Sequence, residues 1–419
     1  MTANPSAPSA VSRYAWCVVA LLAPVVLLNY MDRQMMAAMK YSIMVDVIGL
    51  DTEAKWGLLP AAFKWTYAVL SPLGGYIADR FSKRHVIMVS LFAWSAITWA
   101  TGHAQTFEQL MWSRALMGIS EAFYFPAALS LITDYHTGPT RSRAVGIHHM
   151  ALYFGIIIGG FCGHAADSPD LGWRWTFDTA GILGVLYAAP LFLLLRNAPK
   201  SSAVPASAGA GGEKPSVARA FAELLGNKYF IMLVIYFTLP GLAGWVVKDW
   251  MPSILKHQFD IGQGQAGVSA ALYTNIAAML GVLTGGWLAD RRMRHTGRGR
   301  IQVGVLGLCC IIPALFGVGN AGTLGIAVVF LVLFGLGYGF FDCNSMPILC
   351  QVARPELRAT GYGIMNFAGI SLGGFTDWGV GLMRDVGLPN NLIFAVFAIL
   401  CAIAAALVLL IKPNRELTQ

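Results

Sequence analysis

Charge is what this sequence has least of. Its 419 residues include only 29 Lys or Arg and 21 Asp or Glu, or 12% charged, about half the share in an average soluble domain. Too few charges remain to cover a soluble globule of this size. Disorder is excluded for the opposite reason, because 56% of the residues are hydrophobic and disordered chains are poor in apolar side chains. Cysteine supplies no framework either. Cys17, Cys162, Cys309, Cys310, Cys343, Cys350 and Cys401 all fall in apolar stretches and at no metal-ligand spacing, which reads as small buried hydrophobes rather than disulfides or ligands. Neither a metal nor another cofactor is expected. The sequence also lacks a His-x-x-x-His and a paired-Asp motif, and its one Gly-x-Ser-x-Gly, Gly369 to Gly373, falls inside the apolar run 359–382 rather than at a strand-to-helix turn, so nothing points to a membrane enzyme. The opening MTANPSAPSAVSRYAW has no signal-peptide cleavage pattern and no lipidation motif, so the first apolar run is expected to stay as a membrane anchor.

What is present is a polytopic membrane pattern, since lipid as solvent accepts an apolar exterior. Runs of about 20 apolar residues, the length that crosses roughly 30 Å of hydrocarbon, occur near 15–40, 57–78, 85–103, 107–133, 144–165, 175–195, 228–251, 263–289, 301–318, 322–346, 359–382 and 390–411. The expected fold is an all-α membrane protein of twelve transmembrane helices. A single connection is long, and its SSAVPASAGAGGEKPS stretch has the small-residue, Pro and Gly content of a flexible linker. The chain therefore divides into a first bundle, 1–196, a linker, 197–227, and a second bundle, 228–419. Of the 29 basic residues, 20 fall in the tails, the linker and the even-numbered connections, against 5 in the odd-numbered ones. The positive-inside rule then puts both termini and the linker in the cytoplasm. That asymmetry accounts for the net charge of +8 without nucleic acid as a partner.

The two halves repeat each other. Gly74-Gly75-Tyr76-Ile77-Ala78-Asp79-Arg80 after span 2 matches Gly285-Gly286-Trp287-Leu288-Ala289-Asp290-Arg291 after span 8, 211 residues later. Arg143-Ala144-Val145-Gly146 opens span 5, and Arg358-Ala359-Thr360-Gly361 opens span 11, 215 residues later. Two motif pairs at nearly one offset indicate a duplicated six-helix unit, with any substrate site near the bilayer midplane between two pseudo-symmetric bundles.

Charges inside spans carry the most information, because each costs about 2.5–3.5 kcal/mol at a helix centre on insertion scales and therefore faces a cavity or a partner. Asp32 and Arg33 adjoin in span 1, and Arg114 and Glu121 lie seven apart on span 4, about 10 Å along one face. Two readings fit. In one, the acids exchange protons, the guanidiniums bind an anion, and the arriving anion favours protonation of the acid. In the other, the four are ion pairs that only hold helices 1 and 4 together. Lys64, three residues before Tyr67, is either a second anion ligand or a lysine snorkelling to the surface. His148 and His149 open span 5, where they relay protons or serve as hydrogen-bonded interfacial groups. Asp342, Asn344 and Asp377 are polar candidates of the second half, Asp377 lying toward the external end. Lys248-Asp249 ends span 7 and reads as an external gate or rim pair.

On these motifs the sequence resembles the major facilitator superfamily, whose loop signature appears as GYIADRFSKR from Gly75 to Arg84, with Ser82 where a second Gly is usual. Asn29-Tyr30-Met31-Asp32-Arg33-Gln34, Phe63-x-Trp65-x-Tyr67-Ala68, the stretch from Arg114 to Pro126 and Gly172-Trp173-Arg174-Trp175 resemble the anion:cation symporter family. Spinster-type lipid transporters share the span-1 Asp-Arg and the span-4 Arg and Glu. The resemblance implies Asp32 and Glu121 as proton-coupling acids and Arg33 and Arg114 as site charges. It further implies Tyr30 and Tyr67 as substrate hydrogen-bonders and Asn366 as the second half's contribution. Lys64 departs from the family, which usually has an apolar residue there. Gly75, Asp79, Arg80, Arg84, Asp290 and Arg291 correspond to a cytoplasmic latch that stabilises the outward-facing state. The function implied is proton-coupled symport of a small organic anion, a sugar acid or related carboxylate, by a monomer in the cell's inner membrane. A spinster-like carrier of lysolipids is the alternative, and it requires a largely apolar cavity in the second half.

Overall fold

The computed structural model of the chain describes residues 13–136, 140–198 and 217–413. The first half comprises α1 (Arg13–Ala38), the short α2 (Lys40–Asp46), α3 (Glu53–Arg80), α4 (Lys83–Gly102), α5 (Phe107–Glu121), α6 (Tyr124–Tyr135), α7 (Arg141–Phe161), α8 (Gly163–Asp167) and α9 (Gly172–Leu194). After α10 (Val217–Gly226), the second half comprises α11 (Lys228–Phe259), α12 (Gln263–Met293), α13 (Gly299–Gly319), α14 (Leu324–Val352), α15 (Arg358–Asp385) and α16 (Asn390–Leu409). Among the described residues there are ten helices, counting α5–α6 and α7–α8 as continuous, that are long and apolar enough to cross a membrane. α3 and α15, 28 residues each, are not among them. They pack on each other between the halves and carry polar side chains there, which lowers their mean hydropathy.

Local signals set the helix starts. The Thr52 hydroxyl accepts from the Lys55 amide at the head of α3, and Asn227 accepts from Tyr229 and Phe230 at the head of α11, each satisfying an orphan helix amide. Thr106 and Gln109 form a reciprocal capping box on α5. Within span 4 the regular helix is interrupted by a turn at Ala122 and Phe123, right after Glu121.

The linker range 197–227 is not all linker. Residues Val217–Gly226 of it form α10, which buries Ala220 and Leu224 against the second half and pairs Glu223 with Arg354. Lys200 and Lys214, counted above among the basic residues of that stretch, lie outside the described residues.

The halves meet through α3 with α15 and through α7 with α12, and the described contacts concentrate at the end of the bundle away from the chain termini. There Asp385, at the end of α15, accepts from the amides of Glu53 and Ala54 at the head of α3, at 2.8 and 2.9 Å. Asp167 of α8 does the same for α12, accepting from Gly264 N at 2.8 Å. Each half thus supplies a carboxylate to the positive helix end of the other. On α7 and α12 a Cβ added at Gly267 would sit 2.3 Å from the Gly160 carbonyl, so the two backbones touch because neither residue has a side chain. At the terminal face, Gly146 of α7 and Gly286 of α12 have nothing within 4 Å of an added Cβ. The bundle is closed at the face opposite the termini.

Candidate functional site

Between α1 and α5 the four expected charges come together, and they pair across the two helices. The Arg33 guanidinium donates to Glu121 Oε2, with Nε at 2.9 Å. Arg114 donates to Asp32 Oδ2 at 3.2 Å and to Thr101 Oγ1 at 3.1 Å. Thr98 donates to the other Asp32 oxygen at 3.1 Å. Asp32, Arg114 and Glu121 are buried, so these bonds offset a desolvation cost that an unpaired charge could not meet. The Arg33 guanidinium lies 4.8 Å from the centre of the Tyr30 ring, 4.5 Å from Phe63 and 5.5 Å from Tyr67. Tyr30 and Tyr67 therefore form a cation–π cage for the arginine.

Lys64 does not snorkel to the surface. It is fully buried on α3, and its ammonium is taken by Asp249 of α11 at 2.6 Å and by Asp377 of α15, over the Trp245 ring at 3.9 Å. An inter-half cluster replaces the snorkelling lysine, and Asp377 belongs to it, toward the end of the bundle away from the termini as expected. The Lys248-Asp249 rim pair dissolves in the same way. Asp249 turns to Lys64, while Lys248 turns to the centre, 5.2 Å from the Tyr30 ring and 5.1 Å from Trp245. Among the described residues Lys248 forms no ion pair. Adjacency in sequence had hidden it, since neighbours on a helix point about 100° apart.

Lys248 borders two cavities. A small one of about 40 Å³ also touches Arg33, Lys64, Arg114, Trp245 and Asp249. The larger, about 280 Å³, lies between the halves and is lined by Tyr30, Gln34, Tyr153, Trp245, Asn275, Tyr338 and Asp342 among others. Asp342 is exposed to that cavity. Asn344 instead is buried and donates to the Phe340 carbonyl at 2.8 Å. Trp245 and Tyr338 are shared with a third space in the second half, about 90 Å³, walled by Phe237, Gly241, Phe341, Gly369 and Ile370 with Asn366 as its polar member. His148 is buried, 3.1 Å from the Tyr124 hydroxyl, and His149 bonds the Val145 carbonyl. Both are held by protein partners.

The expected latch residues stand apart from this centre. Arg84 donates to the Phe192 carbonyl at the end of α9, and its amide donates to Asn197 at 3.0 Å. Asp290 is exposed and, among the described residues, unpaired; Arg291 lies 5.4 Å from the Trp287 ring. Arg80 ends α3. Gly75 and Asp79, apart from their place in that helix, lie outside the described residues. Among the described residues no group of His, Cys, Asp and Glu has the arrangement of a metal site.

A family model described as Major Facilitator Superfamily matches residues 22–376. The chain belongs to the Major Facilitator Superfamily. It is a multi-pass membrane transporter and not an enzyme. Among curated relatives, Protein spinster of Drosophila melanogaster is 28% identical over 75% of this chain and 52% of its own length. The sphingosine-1-phosphate transporter SPNS2 of Mus musculus is 26% identical over 83% of this chain and 65% of its own. The chain thus spans about half to two thirds of the length of these relatives. Among solved structures, a bacterial homologue of the human lysosomal transporter Spinster, inward-facing and unoccupied, superposes with a TM-score of 0.78 at 21% identity, over 96% of this chain and 97% of that one. A D-xylose–proton symporter superposes with a TM-score of 0.79 at 15% identity, over 96% and 98%. At these identities the structural likeness speaks for the fold alone. Within the superfamily, the relatives are of the spinster type.

Proposed function

We propose that the chain is a proton-coupled carrier of a single-chain lipid with an anionic headgroup. The observation that carries this reading is the run of cavities that begins at unpaired Lys248 and continues past Trp245 and Tyr338 into the space walled by Phe237, Phe341 and Ile370. A cation at one end and an apolar pocket at the other suit an amphiphile. An apolar stretch in the second half is what a lipid carrier requires and a sugar-acid carrier does not. The names of the relatives, spinster and a transporter of sphingosine-1-phosphate, support a lipid of this kind.

In this reading Lys248 takes the headgroup, with Tyr30 and Gln34 beside it, and the tail lies along Tyr338 and Asn366. Arg33–Glu121 and Arg114–Asp32 are the coupling pairs, since an anion drawn to either arginine loosens its carboxylate for a proton. The terminal face is cytoplasmic, so the closed face is the external one, in the cell's plasma membrane. A small organic anion remains a second reading, favoured by the Tyr30, Tyr67 and Arg33 cage, which needs no tail pocket.

Proteoliposomes separate the two. A fluorescent lysolipid with an anionic headgroup is expected to exchange across the bilayer faster with the protein than without it, and faster still under an inward proton gradient. Accumulation of a labelled sugar acid with no lipid exchange would overturn the lipid reading in favour of the second.

A further inference from the structure

We propose that Lys64, Asp249 and Asp377 form a second proton-binding site, separate from Asp32 and Glu121, and that closing the face opposite the termini takes up one proton there. This rests on the transport reading only for alternating access, not for the substrate. The argument is one of charge balance. Lys64 and Asp377 are fully enclosed, and Asp249 is 9% exposed. Two carboxylates share one ammonium, so with both ionised the buried cluster carries one uncompensated negative charge. Burying such a charge is far costlier than burying a neutral hydrogen-bonded set. A proton on one of the acids removes the excess. The second Asp377 oxygen, Oδ1, has no hydrogen bond of good geometry, the Trp250 indole N–H being the further donor that faces this carboxyl; that is a poor position for an anionic oxygen and a tolerable one for half of a neutral acid.

Of the other charges that face the cluster, Lys248 offsets its excess in part, from across the small cavity that it lines with Lys64 and Asp249, and none makes a further ion pair with the two acids. On α1 and α5, Arg33 and Arg114 are matched by Glu121 and Asp32. On α11, Lys248 directs its ammonium between the Tyr30 and Trp245 rings, beyond ion-pair reach of Asp249. Beyond Trp250, Lys40 and Arg384 share Glu53.

The cluster also joins the halves, with the lysine on α3 and both acids on α11 and α15. Opening the opposite face therefore withdraws the ammonium from the acids and admits water to them. There they ionise as ordinary carboxylates. Closing again requires the lysine and one proton together, and the proton enters from the opposite medium. On the next opening toward the terminal face it sits beside the cavity that Trp245 and Lys248 connect to the centre.

Charge balance predicts proton numbers: one for the natural chain, none for Asp377→Asn or Asp249→Asn, and two for Lys64→Met. Double electron–electron resonance between labels at Ile48→Cys and Val386→Cys, both exposed on the opposite face, reads closure directly with no substrate present. The exposed Cys17 and Cys309 are replaced by Ser in the full-length protein in bilayer discs. From about pH 7.5 to about pH 5, the closed-to-open ratio is expected to rise by up to about tenfold per pH unit in the natural chain, the limit for one proton. The response is expected to vanish in the two Asn variants and to steepen in Lys64→Met. Equal slopes in the natural chain and Asp377→Asn would overturn the proposal. If Lys64→Met does not fold, the two near-isosteric Asn variants still decide it. Lipid or sugar-acid flux plays no part in this readout, so a failed substrate assay and a failed proton count are distinct results.

Discussion

Single residues set the chemistry here, and Lys248 is the one with the most to give. It is the cation that borders the central cavity with no carboxylate in contact. Replacing it with Gln is expected to raise the substrate's apparent KM by about ten- to a hundredfold, the range of one charge-assisted hydrogen bond of roughly 1.5–3 kcal/mol, with folding intact. A flux assay across headgroups checks this, and loss of preference for anionic headgroups is the expected signature. Glu121→Gln removes a titratable acid while keeping a hydrogen-bond acceptor for Arg33. Gradient-driven accumulation is expected to stop while substrate counterflow persists, and unchanged accumulation under a gradient would remove Glu121 from the coupling. Sequence spacing was informative about these side chains where the partner lies on the same or a flanking span. Asp32, Arg33, Arg114 and Glu121 stand out by rarity alone. Spacing left open which acid meets which arginine, because Arg33 meets Glu121 across 88 residues. For the same reason Lys64 and Asp377, 313 residues apart, were read as unrelated.

At the scale of elements, the contact of α7 with α12 depends on two missing side chains. Gly160 and Gly267 place their backbones so close that a Cβ on the second would meet a carbonyl at 2.3 Å. Gly267→Val is expected to push the helices apart at the opposite face and destabilise the closed conformation by about 1–3 kcal/mol, the usual cost of overpacking. Faster alkylation of Gln263→Cys, a position buried in the closed form, would report it. The helices themselves were legible from hydropathy and caps such as Thr52 and Thr106. Two things were not. The turn after Glu121 depends on how α5 and α6 pack, and α10 looked like linker because its ten residues are amphipathic and adjoin a Pro- and Gly-rich run. Only docking on the second half, with Leu224 buried and Glu223 on Arg354, makes it a helix.

For the whole molecule, closure has a second dependence on pH. Lys40 lies just beyond the first span, in α2, and burial takes its ammonium down to about 8 although Glu53 beside it opposes the shift. Between about 8 and the ordinary lysine value near 10.4, the closed form thus binds fewer protons there than a form in which Lys40 is hydrated. The closed conformation is expected to gain stability as pH rises through about 8, the reverse of the sign expected at Asp377 in the acid range. Lys40→Met is expected to abolish this alkaline limb in the same spin-label distances and to leave the acid limb in place. The repeat motifs made the two-bundle architecture readable in advance, since a duplicated unit can be seen at a fixed offset without any contact being known. Which face is closed was not readable, because the same sequence must support both conformations.

The reciprocal capping of α3 by Asp385 and of α12 by Asp167 bears on symmetry. Neither bundle, taken alone, supplies the acid that completes the head of its own second span. The exchange is reciprocal: the end of span 11 caps span 2, and the end of span 5 caps span 8. Two copies of one six-helix unit facing each other about a two-fold axis would make the same two contacts. The crossed caps therefore have the symmetry of a homodimer contact, made within one polypeptide.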